Sequence, residues 1–397
     1  MIRKLSLVLL LSGCFSIPPY APEEAVTFTA ADTGGVVAGK IASGLPFELE
    51  FPGVGGGIGF PNALRINGTD VLGHDPGQAC NQEDEVGILF SPAPRISASG
   101  GAPPVTSLLS PVLPGPAVVQ MKLDWATRLA CNSERSPGGT STFTVFPDGR
   151  IVRHDTITDP SSADISLSQC TCAGPSSGFN IATFWTIARG AFSKLRHSGL
   201  PDDVLQLPTI GEELPNYGWS CVDDGTRQMS FVWSKNEGVR IRGRDQLIGF
   251  GFEFRLLNDQ TPGTLSLEND SVIFIGRSAG CMDTEARADD YIDPLELKVN
   301  GVAMKPSLRD GIYGGDAGDG APPGVELAEG DHFELTGQVR NPYAVWLRFP
   351  RAVDALRAVR VGATGVWYVP QRVDDRSWIL FFKEPLASGQ TITVEPI

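Results

Sequence analysis

"TFTVFPDGRIVRHDTI", residues Thr142–Ile157, is the stretch of sequence that decides the fold. Phe143, Val145 and Ile151 share one side of an extended chain, and His154 falls on the other side. This period of two residues is typical of a β-strand. The Pro-Asp-Gly between the two runs has the backbone preferences of a hairpin turn. The stretch therefore predicts two antiparallel strands within a β-rich fold.

The rest of the chain repeats this pattern of short extended runs between turns. Its 46 glycines and 31 prolines separate segments rich in Val, Ile, Phe, Thr and Trp. Such a composition is typical of many strands joined by turns, so we predict an all-β fold with little helix. Asn-Gly pairs predict two further hairpins, over residues 63–71 and 295–302. The other predicted strands cover residues 47–51, 228–234, 247–256, 271–275, 333–336, 344–349, 366–369, 378–382 and 391–394.

Two stretches are candidates for helix. Between Ile181 and Leu195 the apolar residues fall on one helical face, although "IATFWTI" at its start also suits a strand. We favour the helix and leave the strand open. A shorter helical turn is predicted between Arg351 and Arg357.

The amino terminus has the features of an export signal. A basic head at residues 1–4 precedes an apolar run at residues 5–11, which is too short to cross a bilayer. Leu11-Ser12-Gly13-Cys14 then resembles the lipobox of bacterial lipoproteins. The resemblance implies that Cys14 is acylated and anchors the mature chain to the bacterial outer membrane, facing the periplasm or the surface. The alternative is an ordinary cleaved signal with an incidental cysteine.

Composition divides the chain into four parts. Residues 1–13 are the predicted signal peptide, and residues 14–26 form a lipidated, proline-rich tether. Residues 27–290 are predicted to form a large, disulfide-containing β-sandwich. Residues 291–397 are predicted to form a smaller, cysteine-free, immunoglobulin-like β-sandwich. The acidic, proline-ended segment "DDYIDP", at residues 289–294, marks the boundary between the two sandwiches.

Six cysteines remain besides Cys14, and all of them lie in the predicted large sandwich. An even number in an oxidising compartment indicates disulfides. Cys170 and Cys172 are too close in sequence to bridge each other without strain, and the pairing otherwise stays open. A zinc site is the competing interpretation, although the spacing lacks the paired CxxC pattern. The six are Cys80, Cys131, Cys170, Cys172, Cys221 and Cys281.

The charge of the chain limits its partners. Its 46 acidic and 32 basic side chains give a formal net charge of −14 at pH 7. An acidic surface repels phosphate backbones and anionic headgroups, so we exclude nucleic acid as a partner. The predicted membrane contact is made by the lipid on Cys14. The remaining candidate partners are a glycan and an envelope protein.

The order of segments in the large sandwich carries a second resemblance. An apolar β segment, an Asn-Gly hairpin and the "FPDGRIVRHD" hairpin together resemble the β-sandwiches of galactose-mutarotase-like proteins and polysaccharide lyases. The resemblance implies a sugar site on a concave sheet, where Arg150 and His154 face the ligand and His154 moves a proton near neutral pH. Trp125 and Trp185 are the candidate stacking platforms for sugar rings, and a core position is the alternative for each.

A glycine-framed serine follows the predicted strand "SVIFI". Gly276-Arg277-Ser278-Ala279-Gly280 resembles the nucleophile elbow of α/β-hydrolases. The resemblance implies that Ser278 is a nucleophile, in a triad with His332 and an aspartate of the segment 310–319. A tight turn is the alternative, because glycine-rich chains contain this motif by chance and the α/β alternation of hydrolases is absent.

No cofactor is firmly predicted, but one acidic loop is a candidate calcium site. Asp310, Asp316 and Asp319 lie in a glycine-rich segment, and oxygen ligands on such turns suit Ca²⁺. Their order does not match an EF-hand, and a solvated loop is the alternative. A second acidic cluster spans residues 283–293. The four histidines form no zinc-binding motif.

These patterns lead to one functional hypothesis and three alternatives. We predict a cell-envelope lipoprotein with a non-catalytic binding role, directed at carbohydrate or an envelope partner. The first alternative is a polysaccharide-acting enzyme, lyase or mutarotase-like, that uses Arg150 and His154. A serine hydrolase at Ser278 ranks third. A structural role in envelope assembly is the fourth.

Overall fold

The computed structural model confirms the predicted all-β fold. It describes residues 25–31, 34–41, 44–54, 57–58, 61–72, 95–97, 106–126, 138–159, 179–186, 192, 194–197, 212–214, 218–233, 239–245, 252–260, 265–316, 318–328, 330–360 and 366–397. Within these ranges the chain has one helix, α1 (Thr284–Ile292). In the same ranges, no helix has the length and apolarity that a membrane crossing requires.

The strands in chain order are β1 (Thr27–Ala31), β2 (Gly34–Lys40), β3 (Pro46–Val54), β4 (Gly57–Ile58), β5 (Ala63–Ile66), β6 (Thr69–Asp70), β7 (Arg95–Ser97), β8 (Thr106–Pro114), β9 (Val119–Ala126), β10 (Gly138–Val145), β11 (Arg150–Asp159), β12 (Phe179–Thr186), β13 (Lys194–His197), β14 (Glu212–Leu214), β15 (Gly218–Asp223), β16 (Arg227–Trp233), β17 (Val239–Asp245), β18 (Phe252–Gln260), β19 (Leu265–Arg277), β20 (Leu297–Val299), β21 (Val302–Met304), β22 (Ile312–Tyr313), β23 (Val325–Glu326), β24 (Phe333–Gly337), β25 (Tyr343–Arg348), β26 (Leu356–Arg360), β27 (Tyr368–Arg372), β28 (Ser377–Phe382) and β29 (Ile392–Pro396).

These described strands form five sheets. The N-terminal sheet contains β1 to β6, and the flanking sheet has the order β14-β17-β18-β12-β7. The central sheet has the order β13-β15-β16-β19-β11-β10-β9-β8. In the tail, the inner sheet has the order β22-β25-β28-β27, with β23 also paired to β25, and the outer sheet has the order β21-β20-β24-β29-β26.

The hairpin predicted from "TFTVFPDGRIVRHDTI" lies in the middle of the chain's largest described sheet. β10 and β11 pair antiparallel, with Phe143 opposite Arg153 and Thr142 opposite His154. Gly149 has a φ of 81°, which glycine adopts without steric cost, and this closes the turn. β19 pairs with the other edge of β11, so residues far apart in sequence complete the sheet. The two Asn-Gly hairpins are also confirmed, as β5–β6 and β20–β21.

The two faces of the central sheet contact different parts of the molecule. On one face the ring of Phe143 meets Phe51 of the N-terminal sheet, with centroids 5.9 Å apart. The other face carries Val152, Val232 and Phe274, which join a buried cluster with residues of the inner tail sheet. The central sheet is therefore a shared layer between the N-terminal half of the chain and the tail.

The inner tail sheet is buried on both faces. Alternate residues of β28 point in opposite directions: Ile379 and Phe381 join the cluster shared with the central sheet. Leu380 and Phe382 pack into the core between the inner and outer tail sheets. A strand covered on both sides reads as a continuous apolar run, which explains the sequence "SWILFF".

Both helix predictions are wrong where the structure describes them. Residues 181–186, the first part of the favoured helix, belong to strand β12, which pairs with β18 and β7. Aromatic and β-branched residues in "IATFWT" suit a strand, and the two neighbours supply its hydrogen-bond partners. Residues 351–355 form no helix, and strand β26 begins at Leu356.

Helix α1 occupies the segment that was predicted to be a polar boundary between two sandwiches. Its buried residues are Thr284, Ala288 and Tyr291, so only a narrow stripe of the helix faces the interior. Ala288 and Tyr291 belong to the cluster shared by the central and inner tail sheets. The division at residue 290 therefore remains a prediction, and the structure shows that apolar packing continues across it.

We expect Phe381→Ala to weaken both halves of the molecule. The ring of Phe381 is buried, and its centroid lies 6.3 Å from that of Phe146 in the central hairpin. Its removal leaves a cavity, so the free energy of unfolding should fall by about 3–5 kcal/mol. Urea denaturation followed by tryptophan fluorescence measures the change. Val359→Ala, at an exposed position of β26, is the control and should cost less than about 1 kcal/mol. An equally small loss for Phe381→Ala would contradict the shared core.

Candidate functional site

A cleft of about 330 Å³ opens where the central sheet, α1 and the tail meet. Its walls come from the β10–β11 turn, the end of β19, α1 and loops around residues 294, 307 and 341. This volume is at the lower end of the range for small-molecule sites. The cleft is the candidate functional site because an apolar wall and several charged groups converge there.

The hairpin turn fixes the position of Arg150 in the cleft. The N–H of Arg150 donates to the carboxylate of Asp148 at 3.3 Å. The carbonyl of Gly149 accepts the N–H of Ile275 at 3.1 Å, which ties the turn to β19. A side chain at Gly149 would come within 2.6 Å of Ile41, so this close approach requires glycine. Arg150 is consequently held as the first residue of β11.

Helix α1 is anchored to the central sheet at its amino end. A disulfide joins Cys221 of β15 to Cys281, at a sequence separation of 60 residues. Closing a loop of that length stabilises the fold by about 4 kcal/mol in the chain-entropy description. The side-chain oxygen of Gln228 also accepts the N–H groups of Ala279 and Cys281, at 2.8 and 3.2 Å. These contacts set where the side chains of α1 reach the cleft.

One wall of the cleft is apolar and aromatic. Val152 and Phe274 come from the central sheet, Tyr291 from α1 and Tyr313 from β22. The hydroxyl of Tyr313 donates to the carbonyl of Leu295 at 3.1 Å. Burial raises the pKa of Tyr291 and of Tyr313 above its usual 10.0. Both hydroxyls therefore stay protonated at neutral pH, and that of Tyr291 has no hydrogen-bond partner among the described residues.

The charges in the cleft are mostly positive. Four arginines line it against two aspartates, Asp148 and Asp290, which is a formal charge of +2 in a chain whose total is −14. Arg287 pairs with Asp283 at 3.0 Å, and Arg340 pairs with Asp290 at 3.3 Å. Burial raises the pKa of Asp290, and Arg340 opposes that rise. The four arginines are Arg150, Arg277, Arg287 and Arg340.

Arg150 presents donors that its described neighbours leave unused. Its guanidinium carbon lies 4.1 Å from the centroid of the Phe146 ring, and its side chain is 14% exposed. The carboxylate of Asp148 is 3.8 Å from Nε, beyond hydrogen-bond distance. Nε and Nη2 are buried and have no hydrogen-bond partner among the described residues. A buried charged donor without an acceptor costs free energy, so the site favours an acceptor that a ligand supplies.

Of the four residues predicted for a sugar site, three have described side chains, and these three do not converge. Arg150 lines the cleft, and His154 does not. Trp125 is buried, its indole N–H donates to the hydroxyl of Ser141 at 3.2 Å, and strand alternation places it on the opposite face of the sheet from Arg150. Trp125 therefore takes the core position that was the alternative. Trp185 lies in β12, and its side chain is outside the described residues.

His154 is an interior residue with partners on both ring nitrogens. It is 5% exposed, with Nδ1 2.8 Å from Asp270 and Nε2 3.2 Å from the hydroxyl of Thr156. Burial lowers its pKa, but the hydrogen bond and charge of Asp270 outweigh burial and raise the pKa above the usual 6.5. The enzyme hypothesis needs His154 beside the ligand, and this placement does not support it.

Ser278 stabilises a turn. Its hydroxyl donates to Asp223 at 2.9 Å, and its N–H donates to the carbonyl of Thr226 at 3.0 Å. The ring of His332 is 2.9 Å from its neighbour Asp331. A serine hydrolase requires a serine hydrogen-bonded to a histidine, and the described contacts of Ser278 include none. The glycine-framed motif instead leads from β19 to Cys281 and α1.

The three aspartates of the predicted calcium site bind backbone groups. Asp310 is buried and accepts the N–H groups of Ile312 and Asp316 at 2.9 and 2.8 Å. Asp316 and Asp319 each accept an N–H two residues further on, at 2.8 and 2.9 Å. Within the described ranges, no three His, Cys, Asp or Glu side chains are arranged to hold a metal ion. The calcium site stays a prediction, and in the structure backbone N–H groups of these turns donate to all three carboxylates.

Two of the six candidate cysteines form a disulfide, Cys221 with Cys281, and the sequence had left their pairing open. The lipidation candidate Cys14 lies outside the described residues. So do the other four disulfide candidates, Cys80, Cys131, Cys170 and Cys172.

Most of the cleft residues were not predicted from the sequence. Arg287, Asp290 and Tyr291 lie on a helix that was not predicted, in an acidic segment that was predicted to be a domain boundary. Their spacing of three and four residues was the available signal, because it places them on one helical face. Arg340 comes from the tail, more than a hundred positions away from the hairpin, and no local pattern connects the two.

Asp310 makes the stability of the protein depend on pH. Burial raises its pKa from 3.8 to about 7, although the two N–H groups that it accepts oppose the shift. The folded state therefore binds the proton more tightly than the unfolded state, so stability is full below about pH 4 and is lost as the pH rises through about 7. We expect Asp310→Asn to flatten this fall in urea midpoints measured from about pH 4 to about pH 8. Asp319→Asn, an exposed acid of the same segment, should leave the fall unchanged. Equal slopes for both variants would contradict the assignment.

Comparison with known proteins returns only distant structural similarity. No protein-family model and no curated protein sequence matches the chain. Among solved structures it is similar to a heparan sulfate lyase from Pedobacter heparinus, at 9% identity and a TM-score of 0.38 over 78% of this chain and 41% of that one. A heparinase III gives 9% identity and a TM-score of 0.39, over 81% of this chain and 41% of that one. A galactose 1-epimerase from Lactobacillus acidophilus gives 7% identity and a TM-score of 0.34, over 64% of this chain and 98% of that one. The chain thus spans about two fifths of the lyase-type structures, and these similarities identify no activity.

Proposed function

We propose that this protein is a lipoprotein of the cell envelope that binds a small saccharide in the cleft without converting it. The cleft itself carries the proposal, because a concave site with an apolar wall and a few convergent polar groups is typical of small-molecule binding. Aromatic rings beside hydrogen-bond donors suit a sugar, which has apolar ring faces and a polar edge. Tyr291 and Tyr313 supply such rings, and the arginines supply the donors.

The side chains of the cleft suit holding a ligand more than reacting with it. Tyr291 and Tyr313 keep their protons, because burial raises the pKa of each. Asp290 accepts hydrogen bonds from Arg340 and Asn341, so its oxygens are engaged by neighbouring side chains. A general base must lie within hydrogen-bond reach of the proton that it removes, and His154 is not among the residues of the cleft.

A glycan-array screen of the full-length chain in detergent, with and without calcium, tests the proposed function. We expect calcium-independent binding, and NMR spectra of each bound array ligand should show no product after long incubation with the protein. Leu308→Trp should abolish binding, because Leu308 lines the cleft and a larger side chain there fills it. Val302→Trp is the matched control, since Val302 is exposed and does not line the cleft.

Two outcomes of this screen would contradict the proposal. Unchanged affinity in Leu308→Trp would place the binding site elsewhere. Release of a cleaved or epimerised product would instead favour the polysaccharide-acting enzyme.

We also propose that the acyl chains on Cys14 tether the protein to the outer membrane. The lipobox-like residues 11–14 support this proposal. The first described residues also fit it, because Val26 is fully buried and its N–H donates to the carbonyl of Pro116 at 3.0 Å. The folded part of the chain therefore includes residue 26, which lies 12 positions after the proposed anchor residue.

Substitution of the anchor residue tests the tether. We expect the unsubstituted chain to incorporate labelled palmitate and to sediment with outer membranes, whereas Cys14→Ala should do neither. Ser16→Ala, two residues away, should behave like the unsubstituted chain. Membrane sedimentation of Cys14→Ala would contradict the proposal. Saccharide binding should be equal in both variants, because the cleft does not include the tether.

A further inference from the structure

We infer that the cleft recognises an oxyanion carried by its ligand, and that the guanidinium of Arg150 is the principal contact. The inference deepens the proposed function, on which its saccharide part rests. A cleft of this kind would bind acidic sugars more tightly than neutral ones.

Nε and Nη2 of an arginine form one edge of the guanidinium, and together they match the two oxygens of a carboxylate. The same chain shows this geometry at Arg153, whose Nε and Nη2 donate to the two carboxylate oxygens of Asp155 at 2.7 and 3.1 Å. In Arg150 these same two atoms are the buried donors without a partner among the described residues. No protein acceptor therefore occupies this edge of Arg150. Both atoms are closed to solvent, so a carboxylate, sulfate or phosphate reaches them once the partly exposed side chain turns towards the cleft.

Burial of a donor alone does not mark a site, because other described side chains share that property. Arg360, for example, also has buried nitrogens without a hydrogen bond, but it lies outside the cleft, with Nη2 3.2 Å from Glu384. Within the described part of the chain, only Arg150 and Tyr291 combine a buried, unbonded polar atom with a position in the cleft. The Tyr291 hydroxyl is thus the second donor available to the same ligand.

The charge around Arg150 favours an anion. The side chains that line the cleft have a formal charge of +2, which Asp283, the partner of Arg287, reduces to +1, although the chain as a whole carries −14. The carboxylate nearest to Nε in the turn, that of Asp148, stays 3.8 Å away and so does not close the guanidinium edge. The Phe146 ring lies beneath the guanidinium and keeps water from its other side. Partial burial strengthens the attraction to an anion relative to the same pair in bulk water.

Calorimetry on the full-length protein in detergent, with sodium glucuronate, glucose and sodium sulfate as probes, tests the inference. We expect glucuronate to bind at least about tenfold more tightly than glucose. Arg150→Gln retains aliphatic carbons that cover Phe146 but removes the charge and the paired donors of the guanidinium. It should therefore lower the affinity for glucuronate at least about tenfold and change the affinity for glucose by less than about twofold. The glucuronate affinity of Arg150→Lys should lie between those of the unsubstituted protein and Arg150→Gln, because lysine retains the charge but not the paired donors. Arg357→Gln, an exposed arginine paired with Glu395 outside the cleft, is the matched control.

The outcomes separate this inference from the proposed function. Equal affinity for glucuronate and glucose overturns the inference that the cleft recognises an oxyanion, but it is consistent with saccharide binding. If sulfate binds in an Arg150-dependent way and neither sugar binds, oxyanion recognition is supported and the proposed saccharide binding is overturned. Binding of none of the three probes overturns both. If Arg150→Gln does not fold, the salt dependence of the unsubstituted protein decides: glucuronate affinity that is unchanged between about 0.05 and about 0.5 M sodium chloride overturns the inference.

Discussion

The burial of the inner tail sheet on both faces is the constraint on which the rest of the structure depends. Ile379 and Phe381 face the central sheet, while Leu380 and Phe382 face the outer tail sheet. The tail has a core between its own two sheets, but without the central sheet it would expose the apolar face that carries Ile379 and Phe381. Removing apolar surface from water is the dominant favourable term in folding, so the two parts hold each other in place.

The cleft depends directly on this shared core. Val152 and Phe274 belong both to the buried cluster and to the wall of the cleft. Arg150 lies two residues before Val152, so strand alternation places both on the same face of the central sheet. The register that buries Val152 therefore also directs Arg150 towards the cleft. A shift of one residue would turn Arg150 to the other face and leave the cleft without its buried guanidinium.

Local patterns predicted the parts of the fold that local forces decide. The β10–β11 hairpin follows from a period of two and from turn residues that lie within one short segment. The helix predicted from Ile181 was wrong over the described residues 181–186, because the period of the side chains alone does not reveal which strands lie alongside. The cleft was largely unpredictable, because its walls come from segments spread between residues 41 and 342. A catalytic role was predicted for His154 because a histidine can move a proton near neutral pH. In the structure, His154 is buried and forms a hydrogen bond with Asp270, 116 positions away.

Strand β11 carries two arginines whose surroundings differ in one decisive respect. Arg153 is fully buried on one face, and Asp155, itself bonded to Ser141, closes its guanidinium edge. On the other face, no described side chain closes the same edge of Arg150. A satisfied buried pair fixes structure, whereas an open buried donor violates the rule that buried polar groups are paired. Such violations are expected at functional sites, where a ligand completes what the fold leaves open. This contrast within one strand is the physical reason to assign Arg153 to stability and Arg150 to binding.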